Sequence, residues 1–349
     1  MQRQLKRTFI GVLAVTLCAL TAPVQAQNKV LNLYSARHYQ TDEALYSNFE
    51  KQTGIKINRI EATDEAIIER IKSEGKYSPA DVILLVDAAR VWKVQSEGLL
   101  APVKSKELEQ RIPAELRAKD DGQGSEWFAF SIRARAIFYN KVKVKPQDIA
   151  DYQDLADPKF KGKVCTRSGA HPYMLSLWSS LINHLGEIQA EQVIKGIKDN
   201  LARDPKGGDT DQLKAVAAGE CTVALSNTYY WVRLLRSDKP EDIAIVNKVG
   251  MIWPNQKTTG AHINISAGGM LKNAPNKEAA IQFLEYLASE QAQAYFANGN
   301  NEWPVVKSVV IKNPELDSLG KFKADPLAIQ AIAARTVDAQ KILDRVGYK

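Results

Sequence analysis

Residues 30–86 alternate between two hydrophobic periodicities, and few architectures satisfy both. Val30-Leu31-Asn32-Leu33-Tyr34 reads as a short strand, followed by a loop over 35–40. Thr41 or Asp42 can then cap a helix that carries Leu45, Tyr46 and Phe49 on one face and stops at Gly54. Ile55-Lys56-Ile57 opens a second strand, and a second helix from Asp64 to Gly75 turns Ile67, Ile68 and Ile71 inward. Val82-Ile83-Leu84-Leu85-Val86 is apolar without alternation, as a strand buried on both faces requires. Strand, helix, strand, helix, strand predicts a mainly parallel sheet covered by helices.

The pattern restarts further along. Lys163 to Thr166 reads as a strand with a helix from about Tyr173, and Thr222 to Leu225 as another with a helix after Tyr229-Tyr230. Between them Asp209 to Ala218 is helical and closes at Gly219. This second α/β unit needs links to the first. Ala129 to Asn140 is the candidate crossing strand, and Ala261-His262-Ile263-Asn264-Ile265 the candidate return. Glu278 to Phe296 predicts one long amphipathic helix with Ile281, Leu284, Leu287 and Ala288 facing the core. The expected division is one lobe of residues 27–131 plus 257–305 and another of 132–256 plus 306–349.

The first 26 residues fit neither unit. Arg3, Lys6 and Arg7 precede an apolar run from Phe9 to Ala22, and Pro23-Val24-Gln25-Ala26 follows. A basic start, a short apolar stretch and small residues at the end predict a secretory signal cleaved after about Ala26. The run falls short of the ~20 residues a membrane helix needs, and no later stretch is long and apolar enough. Cleavage lowers the net charge from +7 to +4. With Lys and Arg mixed among Asp and Glu, that argues against a nucleic-acid partner. Cleavage also removes Cys18 and leaves Cys165 and Cys221. An even pair in an exported chain predicts one disulfide, with two buried thiols as the alternative.

Enzyme signatures are missing. There is no GxSxG, HExxH, GxxxxGK[ST] or GxGxxG, and His38, His171, His184 and His262 are scattered. The tyrosines are organised. Ligands of open α/β sheets bind at the carboxyl ends of strands, and three predicted strands are followed there by tyrosines: Arg37-His38-Tyr39, Ser168 to Tyr173, and Ser226-Asn227-Thr228-Tyr229-Tyr230. A phenol with a pKa near ~10 ligates only when a strongly charged ion removes its proton. Phenolate is then a hard, anionic oxygen donor that suits ferric iron. Zinc takes histidine and cysteine, and calcium takes carboxylates and carbonyls.

The sequence resembles the periplasmic ferric-iron-binding proteins of bacterial ABC iron-uptake transporters, in particular their tyrosine-rich group. The likeness spans nearly the whole mature chain. It is carried by Leu33-Tyr34-Ser35-Ala36-Arg37-His38-Tyr39, Arg70-Ile71-Lys72-Ser73-Glu74-Gly75, Ser78-Pro79-Ala80-Asp81-Val82, Arg133-Ala134-Arg135, Asn227-Thr228-Tyr229-Tyr230, Pro254-Asn255-Gln256 and His262-Ile263-Asn264-Ile265-Ser266. It implies a type II periplasmic-binding-protein fold, two α/β lobes joined by two crossing hinge strands with the ligand cleft between them. It implies metal ligation by His38 and Tyr39 from the first lobe and by Tyr173, Tyr229 and Tyr230 from the second. Arg133 maps onto an arginine that in some members holds a carbonate completing the iron shell, and Arg135, two residues on, is the alternative. With His38 as a ligand, no anion is needed. The expected protein is a periplasmic monomer without catalytic activity that delivers Fe3+ to an inner-membrane ABC permease with its ATPase. Trp231 and Trp253 are expected to pack in the core or cleft wall, and His262 to hold the return crossing.

Overall fold

The computed structural model describes residues 29–37, 39 and 41–349; the predicted signal segment and His38 lie outside the described residues. In the first lobe, β1 (Val30–Ser35) runs parallel to β2 (Lys56–Glu61) and to β3 (Val82–Val86). Every residue of β3 is buried, as its unbroken apolar run requires. The helices Asp42–Thr53 and Asp64–Glu74 connect these strands and bury Leu45, Tyr46, Phe49, Ile67, Ile68 and Ile71 as expected. Gly54 closes the first helix in the left-handed region at φ 70°, where a side chain would strain the backbone. Thr41 stands at the N-cap of that helix but makes no capping side-chain bond.

The link between the lobes is one long strand, β4 (Phe128–Asn140). Residues 128–134 pair antiparallel with the strand Ile263–Met270, and residues 135–139 pair antiparallel with Val223–Asn227. In chain order the remaining strands are β5 (Val164–Cys165), β6 (Val223–Asn227), β7 (Val249–Ile252), β8 (Ile263–Met270) and β9 (Trp303–Pro304). The path β2-β1-β3-β8-β4-β6-β5 is continuous, with β7 and β9 also on β4. The molecule is thus an α/β protein of the two-lobed type II periplasmic-binding fold, with β4 outbound and β8 following the return crossing.

The hydrophobic cores follow the lobes. One contains Leu33, Ile83, Phe128, Phe130, Ile265 and Phe283. The second lobe has a core on each face of its sheet. Ile137, Leu225 and Trp178 lie on one face, and Phe138, Ala224 and Trp231 on the other. Successive residues of β4 therefore feed opposite cores. Near the C-terminus Ile329 and Ala333 pack into the first-lobe core, and Ala339, Ile342, Leu343 and Tyr348 into the second. Where the two halves of β4 meet lie Arg133 and Arg135, one in each half and both almost fully buried.

Two features depart from the sequence reading. The span 278–296 forms two helices, Lys277–Leu287 and Glu290–Asn298, because the Ser289 side chain accepts the Ala292 N–H and starts a new helix. The Tyr229-Tyr230 pair lies inside the first turn of the helix Thr228–Leu235, not ahead of it. Cys165 and Cys221 are disulfide-bonded, with Cα atoms 5.8 Å apart. Trp231 is buried in the second lobe, and Trp253 stacks on Phe322 with ring centroids 4.0 Å apart. Among the described residues no helix is long and apolar enough to cross a membrane.

Candidate metal centre

Each tyrosine is placed by a strand end or by the first turn of a helix. Tyr39 follows β1 in a loop. Tyr173 lies in the first turn of the helix Pro172–Leu185, which starts with Pro172, a residue whose fixed φ suits that position. His171 caps this helix, its Nδ1 accepting the Tyr173 N–H at 3.2 Å. Burial, and then the nearby Arg167 cation, push the His171 imidazole down to about 3, so it stays neutral and the cap persists. Tyr229 and Tyr230 follow β6, and a buried ionic group fixes that turn. The Asn227 N–H donates to Asp209 at 2.7 Å, and the Thr228 hydroxyl donates to the Ala134 carbonyl at 3.2 Å.

These elements bring four phenols together across the cleft. The rings of Tyr39 and Tyr229 meet edge to face with centroids 6.1 Å apart, and those of Tyr229 and Tyr230 lie 4.1 Å apart. Tyr173 and Tyr39 both raise the pKa of Tyr229, which requires all three to share one small volume. The Tyr229 hydroxyl is buried and has no hydrogen-bond partner among the described residues. An orphaned buried hydroxyl costs on the order of 1–3 kcal/mol unless something fills its need. Two cavities flank the group. One of about 490 Å³ meets Tyr173, and one of about 740 Å³ meets Tyr39 and Tyr230.

The field favours the neutral phenol. Burial, followed by the Glu302 carboxylate and Tyr173, holds Tyr39 well above the ordinary phenol value, against partial relief from Arg133 and Arg37. Burial, followed by Tyr173, Tyr39 and Tyr230, does the same for Tyr229. Tyr230 is pushed up to about 12 by burial and then by Tyr173 and Asp209.

The two arginines that the sequence could not separate have different neighbours. Arg133 Nη1 donates to the Tyr173 hydroxyl at 3.3 Å, and its guanidinium lies 5.1 Å from that ring. It forms no ion pair among the described residues. Burial works against its charge, but Tyr173, Tyr39, Glu302 and Tyr229 outweigh burial and hold it firmly protonated. Arg135 turns into the second lobe, where it pairs with Asp209 at 3.0 Å and donates to Asn227 at 2.9 Å. Two opposed cations, Arg135 and Arg167, keep the buried Asp209 below the usual carboxylate range even though burial is the largest single influence on it and acts upward. His262 is buried on the return crossing, its N–H donating to Tyr152 and its carbonyl accepting from Arg135. His184 pairs with Asp325 at 3.0 Å, away from the tyrosines.

Sequence reasoning missed Glu302 and Asp87. Glu302 is fully buried and accepts the Tyr39 hydroxyl at 3.1 Å. Asp87, at φ 125°, accepts the hydroxyl of Ser176, one helical turn beyond Tyr173, at 2.8 Å. A buried, partnered acid has no local signature that separates it from a surface acid. Among the described residues no group of three or more His, Cys, Asp or Glu could hold a metal. The hard donors that converge here are phenols.

Known proteins frame this constellation. Residues 44–328 match the family described as bacterial extracellular solute-binding protein. Iron uptake protein A1 of Synechocystis sp. is 45% identical over 328 residues, covering 94% of this chain and 90% of that protein. A Trichodesmium protein solved in complex with iron and citrate superposes with a TM-score of 0.86 at 52% identity, covering 92% of this chain and all of that one. The ferric binding protein of Campylobacter jejuni superposes with the same TM-score at 41% identity, covering 91% of this chain and all of its own.

Proposed function

Since the chain belongs to the bacterial extracellular solute-binding proteins, and among them to the periplasmic ferric-iron-binding proteins of ABC iron transporters, we propose that it captures Fe3+ between its lobes through tyrosine phenolates and hands it to an inner-membrane permease. The observation that carries the reading is the convergence of Tyr39, Tyr173, Tyr229 and Tyr230 from both lobes around the unpartnered Tyr229 hydroxyl. A trivalent ion supplies what this group lacks. It displaces the phenolic protons, satisfies the orphaned oxygen and cross-links the lobes. Specificity follows from donor hardness and charge, because anionic oxygens reward a small trivalent cation more than a softer divalent one.

Arg133 offsets negative charge on Tyr173, to which it donates directly. The remaining position on iron belongs either to His38, beside Tyr39 in the chain, or to a carbonate held by Arg133. A carbonate-dependent site loses visible absorbance when loaded in bicarbonate-free buffer, and a His38-completed site does not. The protein is a carrier without catalytic chemistry, made with a leader cleaved after about Ala26 and working as a monomer in the periplasm with the permease and its ATPase.

The test is a titration. Adding a ferric chelate to apo-protein should raise a broad phenolate-to-iron band that saturates at one iron per chain. Absence of the band, or equal occupation of the same site by zinc, rejects the proposal.

A further inference from the structure

Three of the four phenols stand on the first turns of helices, where the backbone fixes them. Tyr39 stands on a loop, the least rigid kind of support, and needs an anchor of its own. The structure assigns that anchor to Glu302: we propose that this buried carboxylate is the residue that positions Tyr39 for the metal. The inference rests on the reading of Tyr39 as an iron ligand.

Glu302 is held rigidly before it touches Tyr39. Its N–H donates to the Phe296 carbonyl at 3.1 Å, and the next two residues form β9, paired with Ser131 and Ile132 of β4. Asn301 before it has φ 62°, a left-handed conformation that asparagine tolerates better than most residues. Arg236 at 2.7 Å and Asn313 at 2.9 Å hold the Asn301 side chain in that state. The carboxylate is then clamped twice more. Its Oε2 accepts the Ser131 hydroxyl and lies 3.6 Å from Arg37 Nη1, while Oε1 accepts the Tyr39 hydroxyl.

Arg37 closes the frame. Its guanidinium is bidentate on Asp42, which also accepts an amide N–H from Asn300, and it lies 4.7 Å from the centre of the Tyr39 ring. The ring is thus covered by a fixed cation and its oxygen is held by a fixed acid. Burying a carboxylate is costly, and an apolar side chain of similar size would fold at least as well. The expense is understandable at a place where the hydroxyl of a loop tyrosine must be aimed before the ion arrives. Because Ser131 and Arg37 hold the carboxylate independently of Tyr39, the frame survives when iron takes the phenol oxygen.

The experiment is a double-mutant cycle read by iron affinity against a competing chelator. Glu302→Ala should weaken iron binding by about tenfold, because an unanchored loop tyrosine must then be ordered as part of binding. In a Tyr39→Phe background the same change should cost less than about twofold, since the group it positions is already gone. Glu302→Gln, which keeps an acceptor oxygen, should recover most of the loss. An equal loss in both backgrounds makes Glu302 merely structural, and wild-type affinity in Glu302→Ala removes its role; either result overturns the proposal. Should Glu302→Ala not fold, Ser131→Ala should give a smaller loss that disappears in the Tyr39→Phe background, and its persistence there counts against the proposal. Ring NMR of labelled tyrosine in the apo-protein separates the two readings. Glu302→Ala should broaden or shift the Tyr39 signal and Glu302→Gln should not. An unchanged signal overturns the positioning role, whereas a wild-type protein that takes up no iron overturns the ferric reading instead.

Discussion

Tyr229 and phenylalanine differ by one oxygen, and at this position that oxygen is buried without a partner among the described residues. Tyr229→Phe should therefore leave the fold intact or slightly firmer while removing the donor oxygen proposed to bind iron. We expect it, and Tyr230→Phe, to lower iron affinity by at least about two orders of magnitude, the equivalent of roughly 3 kcal/mol. Chelator competition measures this, and wild-type retention of iron in the double variant would refute the assignment. The proton inventory gives a second prediction. Tyr39, Tyr229 and Tyr230 all sit above the ordinary phenol value, so each holds its proton at pH 7 in the free protein. Free protein then binds more protons than loaded protein, and acid favours the free form. Loading should release at least about three protons per iron, so intrinsic affinity falls by about a thousandfold for each unit of pH decrease near neutrality. A pH-stat titration measures the release, and fewer than two protons per iron would contradict phenolate ligation. At this scale the sequence was readable where a residue's meaning came from a strand ending beside it, which is why the tyrosines stood out. It was unreadable where meaning came from a distant partner. Arg133 and Arg135 are told apart by Asp209, which claims the second, and by Tyr173, which takes the first.

Elements were readable in proportion to how far one periodicity carried them. The run Val82 to Val86 and the thirteen residues of β4 announce themselves. The break at Ala288-Ser289 did not, because the apolar spacing continues through it, and a single serine-to-backbone bond overrides the pattern. The pairing of Cys165 with Cys221 was suggested by cysteine count in an exported chain, and the fold joins the end of β5 to the residue two before β6. This bond closes a loop of 56 residues around the helices that carry Tyr173 and Asp209. Loop-closure entropy gives it about 4 kcal/mol of stability. Replacing both cysteines by alanine should lower the stability of the chain by that order in denaturant, with local opening confined to the second lobe in hydrogen exchange. A loss below about 1 kcal/mol, or opening that spreads equally through β1–β3, would show that the bond does not brace this lobe.

At the scale of the whole molecule, the two lobes follow from the restarted α/β pattern, but their joining does not. That β4 serves both sheets is a matter of non-local pairing, with residues 128–134 on β8 and 135–139 on β6, and neither partner is near in sequence. The same architecture makes the bound ion a mechanical element. Tyr39 belongs to the first lobe and Tyr173, Tyr229 and Tyr230 to the second, so an ion bound by all of them is a cross-link, and it shifts the open–closed equilibrium only by its differential affinity for the two states. One protein contact already spans the lobes near the hinge, from Asp87 at the end of β3 to Ser176 on the helix of Tyr173. That contact is made by protein groups alone, so iron-dependent closure should come from the ligands themselves. Removing first-lobe donors should then weaken closure more than initial capture by the second-lobe tyrosines. Solution scattering with and without iron would measure this for wild type and for a His38→Ala, Tyr39→Phe double variant. Wild type should compact on loading, while the variant should bind more weakly and keep its apo radius of gyration. If the variant compacts as fully as wild type at matched occupancy, the first-lobe donors do not drive closure. Other groups that span the cleft must do so, with Arg133, already in contact with Tyr173, and a bound anion the first candidates.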